Sequence, residues 1–155
     1  MLFRSATGKP GIEFIKKCLE KNWHPLFLGQ SALGSLQVRD ALKGQPVEIY
    51  MSEVVPNPLD QKLLLARNFQ KHMSALNRKD LNFFSLEGYM GAMLFVEAAR
   101  RAGHDLTRAS LEQQLASMSD FDLGGVKASF NSTKHYALSS NFVFHLKDGQ
   151  LTQMN

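Results

Sequence analysis

Short apolar runs alternate with amphipathic stretches through the first 55 residues of the chain. The runs at residues 2–5, 26–28 and 47–55 have the length and composition of strands, and the middle one is expected to be buried. Residues 11–22 and 36–42, which separate the runs, carry apolar side chains at helical spacing. Strand, helix, strand, helix, strand at this spacing predicts a parallel α/β sheet with right-handed crossovers.

Two prolines interrupt this alternation. Pro56 and Pro58, on either side of Asn57, have no N–H to donate to a sheet, and each restricts the residue before it to extended conformations. The sheet is therefore expected to stop here. Pro56, Asn57 and Pro58 form the predicted hinge, where the chain would cross between two domains.

Residues 60–118 are predicted to be mainly helical. The first helix is expected over residues 60–76, with Asp60 as its N-cap. Its inward-facing residues would be Leu63, Ala66, Phe69, Met73 and Leu76. A third helix is expected to open at Thr107 and to run to about residue 118.

The helix between these two has an unusual composition. Ser85 is its candidate N-cap, residues 86–102 form its body, and Gly103 would end it in a left-handed conformation. Apolar side chains occupy most of its circumference. This pattern predicts a central, well-buried helix.

Glycine-containing turns predict strands near the end of the chain. Gly124-Gly125 would turn the chain into a strand at residues 126–130. The Asp148-Gly149 pair separates two strand-like runs, at residues 141–147 and 150–153. An Asp-Gly pair in that position predicts a β-hairpin.

Charge and hydropathy argue against a nucleic-acid or membrane-spanning protein. The net charge is +4, but the basic residues are scattered and form no run longer than doublets such as Lys16-Lys17 and Arg100-Arg101. Apolar runs such as residues 90–96 are far shorter than the roughly 20 residues that a membrane-spanning helix needs. The first residues lack the features of a secretory signal peptide, so the chain by itself is not expected to be exported.

Residues that could support catalysis or hold a metal ion are dispersed along the sequence. The histidines form neither an HxxxH-type nor a Cys/His pair, and no G-x-S-x-G segment occurs. Cys18 falls on the apolar side of its helix, where a thiol packs as a small hydrophobic group of low reactivity. Glu53, Glu87 and Glu97 are isolated carboxylates. The sequence therefore predicts no enzyme, no cofactor and no metal site.

The loop at residues 29–35 is the segment most suggestive of ligand contact. It follows a strand, opens a helix and carries Gly29 and Gly34 five positions apart, but no lysine precedes Ser35 as nucleotide hydrolysis would require. Backbone N–H groups at the helix start could still hold a carboxylate or another polar group. Its place at the carboxyl end of a parallel strand favours ligand contact over loop closure alone. Glu87, in the first turn of its helix, is either a partner of the helix dipole or a ligand group.

Several stretches of the chain resemble, in order, one known family. The most specific are S-L-E-G-Y at residues 85–89, V-E-A-A-R-R-A-G at 96–103, D-L-T-R at 105–108, F-D-L-G-G at 121–125 and D-G at 148–149. Residues 9–15, 27–29 and 54–58 are similar to earlier segments of the same family. The family is that of the type I periplasmic binding proteins serving branched-chain amino acid and related ABC importers.

The resemblance implies two α/β lobes joined by three crossings, with a solute trapped in the cleft as the lobes close about the hinge. Residues 1–55 would belong to the C-terminal lobe, residues 56–137 to the N-terminal lobe, and residues 138–155 to the C-terminal lobe again. It further implies a periplasmic, non-enzymatic solute-binding protein that delivers an amino acid or a related small polar solute to an ABC permease.

The resemblance also implies which residues contact the solute. They would come from three places, namely Thr7 and Gly8, then Gln30, Ser31 and Ala32, then Ser85, Leu86 and Glu87. Family members that bind aliphatic amino acids tend to carry an aromatic residue near Gly8 and an acidic residue near Ser31. Both are replaced here, which leaves open an amide, an organic acid or another small polar solute.

The resemblance extends only to the C-terminal half of the family's sequence. The helices of residues 56–137 would then lack the strands on which they should pack, which would expose a large apolar surface. The chain is expected to need a partner chain or the missing N-terminal half. The alternatives are a ligand-sensing receptor domain of the same fold and a non-functional product of a truncated gene.

Overall fold

The computed structural model describes residues 7–104 and 106–154. The chain forms two compact units: the first combines Met1–Pro56 with Asn141–Asn155, and the second is Asn57–Ser140. The predicted strand at residues 2–5 lies outside the described residues, as does Asp105. The hinge and the assignment of the units to lobes stay predictions.

Helices and strands alternate along the first part of the chain, as the apolar pattern predicts. The helices are α1 (Gly8–Glu20), α2 (Ser35–Ala41), α3 (Leu64–Ala75), α4 (Phe83–Ala102) and α5 (Arg108–Ala116). The strands are β1 (Phe27–Gly29), β2 (Glu48–Glu53), β3 (Phe121–Asp122), β4 (Lys127–Ala128), β5 (Phe142–Lys147) and β6 (Gln150–Met154). A 3-10 turn, Ser31–Leu33, stands between β1 and α2.

A mixed sheet forms the centre of the first unit. Its strand order is β1-β2-β5-β6, with β1 parallel to β2 and the other neighbours antiparallel. The predicted parallel pair is therefore confirmed for β1 and β2. The predicted C-terminal hairpin is confirmed as β5 and β6, which are joined by Asp148 and Gly149, both at positive φ.

The core of the first unit lies on one face of this sheet. Side chains alternate along β2, so that Ile49, Met51 and Glu53 are buried while their neighbours are half-exposed. The apolar sides of α1 and α2 cover that face. Their buried contacts include Ile12, Ile15, Val38 and Leu42. Cys18 is buried too, as its place on the apolar side of α1 predicts.

The expected burial of the second predicted strand is wrong. Leu28, in the middle of β1, is 79% exposed, and Leu26 before it is also exposed. β1 lies at the edge of the described sheet, and its alternation directs Phe27 towards the core and Leu28 to the opposite face. Apolar composition predicted the strand but not which of its faces is covered.

Helices α3, α4 and α5 build the second unit. Phe69 of α3 is buried and packs against Tyr89 of α4, with ring centroids 5.5 Å apart. Tyr89 Oη is 2.8 Å from His72 Nδ1. α5 packs on α4 as well. It begins directly after Thr107, as predicted, and Thr107 caps it through a reciprocal pair of hydrogen bonds with Ser110.

Two expectations for α3 are wrong. Asp60 does not cap the helix, because its Oδ1 accepts a hydrogen bond from Lys62 N at 2.7 Å and closes a turn before α3 begins. Leu76, expected to face inward, is 71% exposed because it follows the last helical residue, where the 3.6-residue pattern no longer applies.

The start of α4 differs from the expected one by a few residues. Its N-cap is Asn82, whose Oδ1 accepts from Ser85 N at 3.0 Å, while Ser85 Oγ accepts from Asn82 N at 3.0 Å. Ser85 is thus the third helical residue of a capping box and not the cap itself. The predicted end of the helix before Gly103 is confirmed, but Gly103, with a φ of +68° and a ψ of −138°, does not adopt the expected left-handed helical conformation.

The prediction that α4 is a central, well-buried helix is wrong for one of its sides. One side of it, which includes Leu86, Met90, Leu94 and Ala98, is buried. The opposite side is exposed although it is almost wholly apolar; apart from Glu87 in the first turns, its residues are Phe84, Gly88, Gly91, Ala92, Phe95 and Val96. We call this set the open face of α4. Within the described residues, the elements that would cover it are missing.

A short hairpin closes the second unit. β3 and β4 pair over two residues, shorter than the strand predicted at 126–130, and Asp122 Oδ1 accepts hydrogen bonds from the N–H groups of Gly124 and Gly125. None of the helices within the described residues has the length and hydropathy to cross a membrane.

Candidate functional site

The turn between β1 and α2 presents polar groups at the carboxyl end of a parallel strand pair. β1 ends at Gly29, and Gln30 and Ala32 in the turn are exposed while Ser31 is half-buried. In open α/β sheets this edge is where ligands bind, because loops that follow neighbouring parallel strands meet there. The structure thus places Gln30, Ser31 and Ala32 together where the sequence predicts a ligand loop.

The first end of this turn is fixed by packing against β2. Gly29 lies beside Met51 in the parallel register. A Cβ added at Gly29 would lie 2.9 Å from both Leu33 Cδ2 and Met51 Cγ, which is closer than side-chain carbons approach. Only glycine therefore lets Leu33, the last residue of the 3-10 turn, fold back onto the sheet.

The second end of the turn is fixed by a buried carboxylate. Glu53, the last residue of β2, accepts hydrogen bonds at Oε1 from Ser35 N at 3.2 Å and from Ser35 Oγ at 2.5 Å. Both residues are fully or almost fully buried. The carboxyl oxygen lies at the N-terminus of α2, where backbone N–H groups have no partner within the helix.

Thr7 and Gly8 occupy the start of α1. Thr7 is exposed and stands at the N-cap position, but its side chain makes no capping hydrogen bond within the described chain. Gly8 has a φ of +52°, a conformation that glycine adopts most readily. Because α1 packs against the 3-10 turn, Thr7 and Ser31 belong to elements that touch each other in the first unit.

The third predicted group, in the second unit, is differently placed. The Ser85 hydroxyl is engaged at the start of α4, where it accepts from Asn82 N and donates to the Asp80 and Asn82 carbonyl oxygens. Leu86 is fully buried, so its side chain contributes to the core of this unit. The contact of this group with a solute stays a prediction, and Glu87 is its one member with an exposed side chain.

Sequence reasoning missed the role of Glu53. It interpreted Glu53 as an isolated carboxylate because its partner, Ser35, lies 18 residues earlier in the chain. One signal was present: Glu53 is two and four residues after Met51 and Ile49, and it therefore shares their face of the strand. A carboxylate at a core position of a strand requires compensating partners.

A cavity of the first unit lies at the other end of the sheet. It has a volume of about 660 Å³ and is lined by residues that include His24, Phe27, Pro46, Glu48 and Lys147. Glu48 Oε1 lies 2.8 Å from His145 Nε2, and this hydrogen bond holds the pKa of Glu48 below its ordinary value. The amino ends of β1 and β2 border this cavity, so it is separate from the candidate ligand turn.

The described residues contain no group of His, Cys, Asp or Glu side chains arranged to hold a metal ion. The pKa of Glu97 on α4 is lowered to about 2 by hydrogen bonds from Arg100 and then Arg101. Both partners follow within one turn of the same helix, so this cluster stabilises α4 locally.

One known protein family matches most of the chain. The profile described as periplasmic binding protein matches residues 1–150 of the chain. A comparison with curated protein sequences gave no match.

Solved structures share the fold. A possible leucine/isoleucine/valine-binding protein from Rhodopirellula baltica SH 1 is 24% identical with a TM-score of 0.87, and the match covers 97% of this chain and 41% of that one. A substrate-binding periplasmic protein from Ralstonia solanacearum is 25% identical with a TM-score of 0.82, over 96% and 44% of the two chains. A branched chain amino acid ABC transporter protein from Thermus thermophilus with bound valine is 17% identical with a TM-score of 0.80, over 96% and 43%.

These comparisons confirm the predicted fold class, the partial α/β fold of the type I periplasmic binding proteins. They also set its extent, because the chain spans less than half the length of each of these solved structures.

Proposed function

This chain belongs to the periplasmic binding protein family, and from that membership we propose that it is the solute-binding component of an ABC importer for an amino acid or a related small polar solute. It would act in the periplasm, deliver its solute to a permease and catalyse no reaction. The observation that carries the proposal is the turn at Gln30, Ser31 and Ala32, which presents polar groups at the carboxyl edge of β1 and is held from within by β2.

The composition of the first unit's candidate contacts narrows the kind of solute. Thr7, Gly8, Gln30, Ser31 and Ala32 supply hydroxyl, amide and backbone groups and no charged side chain. Such groups recognise a solute through neutral hydrogen bonds, each contributing about 1 kcal/mol. An amide, an organic acid or another small polar solute fits this set. Glu87, the exposed carboxylate of the second unit, is a further predicted contact for a solute amine.

The first experiment is a thermal melt of the intact protein against a panel of amino acids, amides and carboxylates. A solute at about 100 times its Kd stabilises the folded protein by about 2.7 kcal/mol, so at least one compound is expected to raise the midpoint clearly. Ser31→Ala should weaken binding of that compound by roughly fivefold, because it removes one hydrogen bond.

Matched controls separate binding from folding in that experiment. Ser52, in the same unit, is half-buried like Ser31 but lies on the face of β2 that points away from the core. Ser52→Ala should therefore leave binding unchanged. The proposal fails if no compound shifts the midpoint of the intact protein, or if Ser31→Ala and Ser52→Ala bind the active compound equally well.

The open face of α4 supports a second part of the proposal, that a further polypeptide segment covers this chain. Phe95 is 53% exposed and Val96 63%, and Gly88, Gly91 and Ala92 between the aromatic residues leave room for close approach. Apolar helix faces of this kind are covered in stable proteins. Because this chain spans only 41% of the Rhodopirellula protein's length, we take the occupant to be the remaining part of the same fold.

The mass of the native protein and its binding of a dye test whether the rest of the fold covers the open face of α4. Captured from its own cells, the protein should either exceed 17.4 kDa in mass or bring with it a second chain that carries the rest of the fold. Phe95→Glu should disrupt that association or expose apolar surface to a dye, whereas Leu76→Glu, at an exposed leucine outside the open face, should not. A monomer of 17.4 kDa that binds no dye would contradict this part of the proposal.

A further inference from the structure

Glu53 is the charged residue most deeply buried in the described chain. Its side chain is 1% exposed, and Ser35, its partner, is the other buried polar residue among those that the structure describes. A buried carboxylate is strongly unfavourable unless hydrogen bonds replace its hydration. Core packing alone would be better served by an apolar residue, so the presence of Glu53 calls for a specific role.

The contacts of Glu53 and Met51 converge on one short segment. Met51 pairs with Gly29, which lies at the beginning of the turn. The Met51 side chain is also close to Leu33, at the end of the turn. Glu53, two residues further along the same face of β2, binds both the N–H and the hydroxyl of Ser35 just after the turn. Gly34, between them, has a φ of +82°, so the chain reverses sharply into α2. Two successive inward positions of one strand therefore clamp the turn at both ends.

We propose that Glu53 is a positioning residue for solute recognition, which acts through Ser35 and does not touch the solute. Its carboxylate fixes where α2 begins, and thereby fixes the orientation in which the turn presents Ser31. This inference rests on the proposed function for its link to binding, but the clamp itself can be tested without any solute.

Amide hydrogen exchange of the intact protein tests the clamp directly. Glu53→Gln replaces the carboxyl group with an amide of the same shape, which is a weaker acceptor for the two Ser35 donors, and it should raise the exchange rate of amides at residues 30–36 about tenfold. Glu48→Gln makes the same chemical change on the same strand but on the opposite face, and it should leave residues 30–36 unchanged. Unchanged exchange at residues 30–36 in Glu53→Gln, or an equal rise throughout the first unit, would overturn the proposal.

A milder variant tests the clamp in case Glu53→Gln does not fold. Ser35→Ala removes the hydroxyl donor but keeps the backbone N–H that also binds Glu53. It should raise exchange in the same residues by a smaller factor. The rise in the double variant should be smaller than the product of the two single rises, because both substitutions weaken the same connection. Additive effects would show that Glu53 does not act through Ser35.

Calorimetric titration links the clamp to binding, with L-valine, L-glutamine and succinate as the probes. A probe that binds the wild type should bind Glu53→Gln about tenfold more weakly. Leu146→Ala, a core variant of the same unit that loses stability for another reason, should keep its affinity while folded. Equal affinity of Glu53→Gln and the wild type would refute positioning, whereas a wild type that binds none of the probes counts against the proposed function and leaves the exchange result to decide the clamp.

Discussion

Gly124 meets two separate structural requirements. Its φ of +105° belongs to the region that residues with a Cβ avoid, and a Cβ built there would lie 2.8 Å from Leu65 N. The same approach allows Leu65 N to donate a hydrogen bond to Gly124 O at 2.9 Å. The β3–β4 turn therefore supplies an acceptor to the first turn of α3, where backbone N–H groups lack partners within the helix.

Gly124→Ala should destabilise the protein by about 3 kcal/mol, because it adds both backbone strain and a steric clash. Gly44→Ala provides the matched control. Gly44 also has a positive φ, of +79°, but a Cβ there would meet nothing within 4 Å among the described residues. It should lower the free energy of unfolding by only about 1 kcal/mol. Urea unfolding measures both, and equal losses would show that the contact with Leu65 is unimportant.

The residues of the candidate site were predictable to different degrees. Gln30, Ser31 and Ala32 could be placed because a polar loop after an apolar strand, within an alternating α/β pattern, has one position in such a sheet. The link between Glu53 and Ser35 could not, because it depends on how β2 and α2 pack. The burial of the Leu86 side chain could not be predicted either, since helical periodicity gives a residue's face only after the covered face is known, and its contact with a solute stays a prediction.

Helix α4 shows which properties of an element a sequence contains. Its period, its terminating glycine and its end at Ala102 all follow from the local sequence. Its capping box was assigned to the wrong residue because Asn82 and Ser85 are both good caps, and the choice depends on the path of the preceding loop. Which face is covered depends on neighbouring elements, so the expected burial was wrong for one side.

Gly91→Ala tests the open face of α4 as a helix surface. Gly91 is exposed in mid-helix, and a Cβ there would meet nothing within 4 Å among the described residues. Alanine favours the helix by up to about 1 kcal/mol over glycine, so the variant of the isolated 155-residue chain should melt at a higher temperature. If a covering segment packs closely on this face, the same substitution should weaken its association. A lower melting temperature of the isolated chain would contradict the first expectation.

In the whole molecule, segments from both ends of the described chain form the first unit. The parallel pair and the C-terminal hairpin were each predictable, because their pairing or turn chemistry is local. Their union was not, since Tyr50 pairs with His145 across most of the sequence. No periodicity in either segment specifies that partner. The resemblance to a known family implied this return of the chain, which composition and spacing could not.

The long-range pairing of β2 with β5 has a consequence for synthesis. On the ribosome, β2 emerges well before its partner, and it must wait while Asn57–Ser140 is translated. Translation at about 5–20 residues per second makes that wait several seconds, much longer than a hairpin needs to form. The nascent first unit therefore exposes an unpaired strand edge throughout this interval. A chaperone that binds this edge would be most useful at that stage.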